Sequence, residues 1–136
     1  EGFSVMAHAN GARTVEAAAT AGVDSVEHGA YLDGDALCAM AEAGTVWVPT
    51  LSAIGNLRGK GRFDEKAVSA IYESSVENLR AFIKMNGLIA PGSDAGAWAV
   101  PHVRGSADEY AHLAYALGRD ADHILFTGIN AIRAKF

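Results

Sequence analysis

The chain has 136 residues, half of them hydrophobic, one cysteine, and a net charge of −5 from 11 basic and 16 acidic side chains scattered without runs. That is enough apolar material for one domain with a core. The charge is too acidic and too dispersed for a phosphate-binding face, so disorder and nucleic-acid binding are disfavoured. Cys38 alone makes no intramolecular disulfide, and no apolar run approaches the roughly 20 residues of a bilayer span, so a cytoplasmic chain that crosses no membrane is expected.

In chain order, Phe3-Ser4-Val5-Met6-Ala7-His8 predicts a first strand. A phrase then recurs three times: a helix-forming stretch, a glycine, and a short β-prone run. Its copies end at Gly22 before Val23-Asp24-Ser25-Val26-Glu27-His28, at Gly44 before Thr45-Val46-Trp47-Val48-Pro49, and at Gly87 before Leu88-Ile89-Ala90-Pro91-Gly92. Glycine takes the left-handed conformation that closes a helix, so each copy reads as helix, cap, strand. Between the third and fourth strands, residues 50–63 break the rhythm with Gly55, Gly59 and Gly61 among Arg58, Lys60 and Arg62, a longer loop than packing requires. A long helix follows over 64–85, with Val68, Ile71, Tyr72, Val76, Leu79 and Phe82 on one apolar stripe that reads as core.

Strands alternating with helices predict an α/β fold with a parallel sheet. Four such units make an open doubly wound sheet or half of a (β/α)8 barrel, since a whole barrel needs about 250 residues. Glu1-Gly2-Phe3 opens without Met and the last residues stop inside a helical pattern, so the chain reads as a segment of something longer.

A single histidine at a strand end is ordinarily a hydrogen-bonded structural residue. Three positions together point further: His8 ends the first predicted strand, His28 the second, and Asp94 follows the fourth. In a parallel barrel these strand ends share one face, where two imidazoles and a carboxylate would converge. Small neighbours, Ala9 and Gly11, Gly29 and Ala30, Ala95 and Gly96, leave room there for an ion and a substrate.

Met6-Ala7-His8-Ala9-Asn10-Gly11, Asp24-Ser25-Val26-Glu27-His28-Gly29 and Gly92-Ser93-Asp94-Ala95-Gly96 resemble strands five, six and eight of the amidohydrolase superfamily, in its imidazolonepropionase-like and Xaa-Pro dipeptidase-like branch. Val48-Pro49-Thr50-Leu51 and Thr127-Gly128-Ile129-Asn130-Ala131 extend the resemblance over nearly the whole chain. It implies the C-terminal half of a (β/α)8 TIM barrel, strands five to eight with their helices, forming a partial catalytic domain over residues 1–136. It also implies that His8 and His28 bind a divalent metal, that Asp94 binds metal and handles the proton, and that the activity is hydrolysis of C–N bonds. The chemistry is coherent: a divalent ion lowers the pKa of water and polarises a carbonyl, and a carboxylate carries the proton to the leaving nitrogen. Zinc is the first expectation, and manganese, iron and cobalt suit the same ligands.

The chain departs from the family at two places, because it holds neither the His-x-His pair of strand one nor the lysine of strand four; no lysine occurs before Lys60. At most three protein ligands are present, so this chain alone is expected to be inactive. Its partners would be a small amide or peptide and the missing N-terminal half of the barrel. A non-catalytic half-barrel that acts by assembly with another chain or a copy of itself is the alternative, since a half-barrel leaves open sheet edges and an apolar face. Either reading favours a homo-oligomer or other association.

Secondary candidates are His102, in the loop after the fourth strand where relatives carry a Pro-His pair near substrate, and Tyr31 and Trp98, which line a pocket or pack under loops. Glu109, His112 and His123 fall on probable helices, with solvent-facing or capping roles expected. Cys38, between Leu37 and Met40, reads as packed rather than reactive. Gly55 to Gly61 lacks the spacing of a phosphate-binding loop, and Gly92 to Gly96 puts Asp where a hydrolase elbow needs Ser.

Overall fold

Local signals set the element boundaries. The Asp33 carboxylate accepts from Ala36 N at 3.0 Å and caps one helix, whose far end closes on Gly44 at φ 65°. Asp64 caps the longest helix through Ala67 N at 2.8 Å, and Lys84 sits in its last turn, where a cation complements the helix dipole. The computed structural model describes residues 2–136, and Glu1 lies outside them. Along the chain run β1 Met6–Ala9, α1 Ala12–Thr20, β2 Ser25–His28, α2 Gly34–Ala43, β3 Val46–Val48, the short α3 Ser52–Gly55, α4 Glu65–Lys84, β4 Leu88–Ile89, α5 Gly105–Leu117 and α6 Ala121–Lys135.

The four strands form one parallel sheet in the order β1-β2-β3-β4. A doubly wound sheet reverses its strand order at a switch point, and these four strands do not. Register aligns Ala7, Val26, Trp47 and Ile89, and the last three belong to the main core beneath α1, α2, α4 and α5. Trp47 meets the Phe82 ring edge-on at 5.7 Å. The stripe of α4 delivers Val68, Tyr72, Val76, Leu79 and Phe82 to the interior, as its spacing predicts. Val46, Val48 and Ala90 form a second cluster with Ala131 and Ile132 of α6, while Leu125 of the same helix packs in the first. The α6 helix therefore wraps past β4. Gly128 permits it, because a Cβ there would lie 1.8 Å from the Ile89 carbonyl oxygen.

Two boundaries differ from expectation. The Val5 carbonyl accepts from Asp24 N and Ser25 N, but pairing in the ladder begins at Met6, so His8 is the penultimate residue of β1 rather than its last. Residues 50–63 are not all loop: α3 starts at Ser52, and the Glu65 carboxylate holds the following turns by accepting from Gly59 N at 2.9 Å and Gly61 N at 3.2 Å. Among the described residues no helix is long and apolar enough to cross a membrane.

Candidate active site

The strand mouths are strained. His28 (φ 70°), the last residue of β2, and Thr50 (φ 48°) and Asp94 (φ 52°), after β3 and β4, all take the left-handed conformation without being glycine. Such a residue costs about 1–3 kcal/mol and persists only where its surroundings fix it. The surroundings do so here. The Trp47 indole Nε1 donates to the His28 carbonyl at 2.9 Å, and His28 Nδ1 lies 2.8 Å from Thr50 Oγ1. Ala97 N donates to the Asp94 carbonyl at 3.0 Å. Asn10 Oδ1 accepts from Ala30 N at 2.9 Å, tying the loop after β1 to the loop after β2.

These mouths open on one cavity of about 430 Å³, whose lining includes His8, Asn10, His28, Tyr31, Thr50 and Asp94, with Ile54 and Ile71 among its apolar walls. The His8 and His28 rings meet edge-to-face with centroids 4.4 Å apart. Burial holds the His28 imidazole below its ordinary pKa, and the His8 ring pushes the same way against the opposing pull of Asp94 and Glu27. The neutral ring is the form that offers a lone pair. In the tautomer whose Nδ1–H donates to Thr50, that lone pair is on Nε2, and the threonine fixes the ring's orientation.

The donor set fits a divalent transition ion in kind, with two imidazoles in contact and a carboxylate on the same cavity. It is not a finished cage: among the described residues no three His, Cys, Asp or Glu side chains stand together closely enough to hold a metal ion. His8 and Asp94 are exposed and His28 is half-buried.

The other candidates divide. Tyr31 stands on the cavity's lining, mostly exposed. His102 lines a separate, larger cavity of about 870 Å³ together with Arg58, Lys60 and Arg104. Trp98 packs under the loop of residues 50–63, edge-on to Phe63 at 6.4 Å and beneath the Arg62 guanidinium at 4.8 Å.

Two readings are corrected, those of His112 and Cys38, and one alternative is decided: of the solvent-facing and capping roles, Glu109 has the capping one, being 1% exposed and accepting from Leu51 N at 3.0 Å and Ser52 N at 2.7 Å at the start of α3. Burial pushes its carboxyl above the ordinary range, and those bonds pull it partly back. His112 is half-buried, with Nδ1 at 2.9 Å from the Tyr72 hydroxyl and Nε2 at 3.1 Å from Asn56 Oδ1. The sequence signal for it was Gly55, whose missing side chain makes room for the ring: a Cβ there would stand 2.4 Å from His112 Cε1. Cys38 is exposed rather than packed, and its thiol, bonded to Glu42, is held above the ordinary pKa, which disfavours the reactive thiolate. His123 faces solvent as expected.

No family model matches the chain. It is 32% identical over 119 residues to the uncharacterised protein Rv2915c of Mycobacterium tuberculosis, an alignment covering 83% of this chain and 32% of that protein. An uncharacterised protein of Mycobacterium bovis, Mb2939c, matches to the same extent. The chain thus spans about a third of the length of these relatives. Among solved structures it resembles a Xaa-Pro dipeptidase with methionine bound in the active site, at TM-score 0.78 and 27% identity over 98% of this chain and 35% of that one. It also resembles the ochratoxinase of A. niger, at TM-score 0.70 and 28% identity over 98% of this chain and 28% of that one.

Proposed function

From a chain that is amidohydrolase-like over nearly its whole length, we propose that it forms strands five to eight of a (β/α)8 barrel in a longer metal-dependent hydrolase of C–N bonds. The observation that carries this reading is the arrival of His8, His28 and Asp94 from three parallel strand mouths on one cavity. The uninterrupted strand order supports the barrel, because it is the order an arc of a barrel has.

In this reading His8 and His28 hold a divalent ion, zinc before manganese, iron or cobalt, with Asp94 completing the chain's share of the ligands. Such an ion supplies Lewis acidity, lowering the pKa of water and polarising a carbonyl. Asp94 would take the proton from water and return it to the departing nitrogen, a role open to a carboxylate on the cavity's lining. Thr50 keeps the His28 ring oriented. Tyr31 at the rim and the apolar Ile54 and Ile71 receive the substrate's side chains. A small amide or dipeptide suits a cavity of this size, and the similar dipeptidase holds methionine at its active site.

The test is a panel of dipeptides and N-acyl amino acids offered to the full-length protein. Turnover of at least one member, abolished by a chelator and restored by zinc or manganese, is the expected outcome. Absence of turnover across the panel, or turnover indifferent to chelation, would remove the proposal.

A further inference from the structure

The proposed site has a feature that its own residues do not explain: Thr50 and Asp94, both left-handed, lie on different segments, yet each adjoins a residue bonded into one network. Glu109, on α5, sends one carboxylate oxygen to Leu51 N at 3.0 Å and the other to Ser52 N at 2.7 Å. Ser52 Oγ in turn donates to the Ser93 carbonyl at 2.9 Å. Leu51 follows Thr50, whose hydroxyl is 2.8 Å from His28 Nδ1, and Ser93 precedes Asp94. Glu109 and Ser52 are both fully buried.

We infer that Glu109 is a positioning residue for this site: its carboxylate fixes His28 through Thr50 and Asp94 through Ser52 and Ser93, an inference that rests on the proposed roles of His28 and Asp94. A buried carboxylate is costly unless its lone pairs are engaged, and among the described residues Glu109 forms no ion pair. Its partners are the two backbone amides and the neighbouring Ser52 side chain, so its burial is offset where the chain after β3 keeps this shape. The same clamp thereby holds two strained residues that relaxed backbone would release. Outer partners of this kind set ligand orientation without touching the reaction.

The experiment uses the full-length protein and compares Glu109→Gln with Leu125→Ala, a core change in α6 away from the cavity. Glutamine keeps the length but turns an NH2 group toward one of the two amides. Expected for Glu109→Gln is a loss of about tenfold or more in both zinc affinity, by chelator competition, and kcat, with KM little changed. The imidazole NMR resonances of His28 should also move. Leu125→Ala should lose Tm while keeping affinity, kcat and the His28 resonances. A Glu109→Gln protein that loses only Tm, like Leu125→Ala, would overturn the positioning role. Should Glu109→Gln fail to fold, Ser52→Ala decides, since it removes the hydroxyl that bonds Ser93 and leaves both backbone amides on Glu109: lowered kcat with a shifted Asp94 amide resonance supports the inference, and wild-type values for both overturn it. A His28→Ala protein with wild-type zinc affinity would instead sink the metal reading, and the His28 resonances in Glu109→Gln would then judge the positioning role alone.

Discussion

Asp94 is asked to serve as ligand and proton carrier, and these roles come apart under substitution. Asparagine keeps one oxygen for coordination but loses the charge and the basicity. Asp94→Asn in the full-length protein should lower kcat by about 10²-fold with the fold intact and metal content little changed. Near-native kcat at full metal occupancy would return Asp94 to a loop-capping role. His112 makes a separate prediction about pH. Burial lowers its pKa below 6.5, Asp108 pulls it back and Arg58 adds to the fall. The neutral ring accepts from Tyr72, whose phenol burial keeps protonated, and donates to Asn56. A lowered folded pKa gives stability that is whole above 6.5 and is lost as pH falls through the folded value. Glu109, raised above 4.5, acts in the opposite sense, its contribution being whole below that value and lost as pH rises through the folded one. Tm should therefore drop less between about pH 7 and about pH 5 in His112→Gln than in wild type, although the variant is less stable at neutrality. Equal slopes would show that His112 does not titrate in that window. The residue types at the strand mouths were legible because His and Asp beside small residues form a linear pattern. Glu109 and His112 were not, because the burial of each is decided by contacts more than 50 positions away in the chain.

At the scale of elements, the sequence disclosed strands and helices where caps and periodicity agree, as in α4 with Asp64 at its start and five buried residues of its predicted stripe inside. It was less informative where tertiary contacts decide. Phe3 to Val5 carry strand-forming residues, but pairing with β2 begins only at Met6. The course of α6 shows the same limit. An alanine in place of a helical glycine ordinarily adds up to about 1 kcal/mol of stability. At Gly128 the new methyl would collide with the Ile89 carbonyl, so α6 would have to lift from β4. Gly128→Ala should thus destabilise by roughly 1–3 kcal/mol in denaturant unfolding, against the propensity scale. A stabilised variant would mean that α6 does not pack on β4 as described.

At the scale of the whole molecule, the two ends of the sheet differ. The β4 side is overlain by α6, whereas Phe3 (83% exposed), Val5 (46%) and Met6 (56%) leave an apolar rim along and before β1. The exposure of His8 on the same strand accords with a site that more chain would cover. Purified alone, residues 1–136 should self-associate and show no appreciable amidase activity, because the rim is uncovered and, among the described residues, no three metal-type side chains stand together. A stable compact monomer in analytical ultracentrifugation would count against the half-barrel. A non-catalytic assembly module would share that association but not the chemistry, so the metal separates the two. The most direct measurement is the metal content, by plasma emission, of the full-length protein beside its His8→Ala and His28→Ala variants. Expected are stoichiometric zinc or another divalent transition ion in the wild type, and its loss together with hydrolysis in both variants, with partial recovery of activity on adding metal. Metal content unchanged in both variants, or a wild-type protein that binds none, would contradict it.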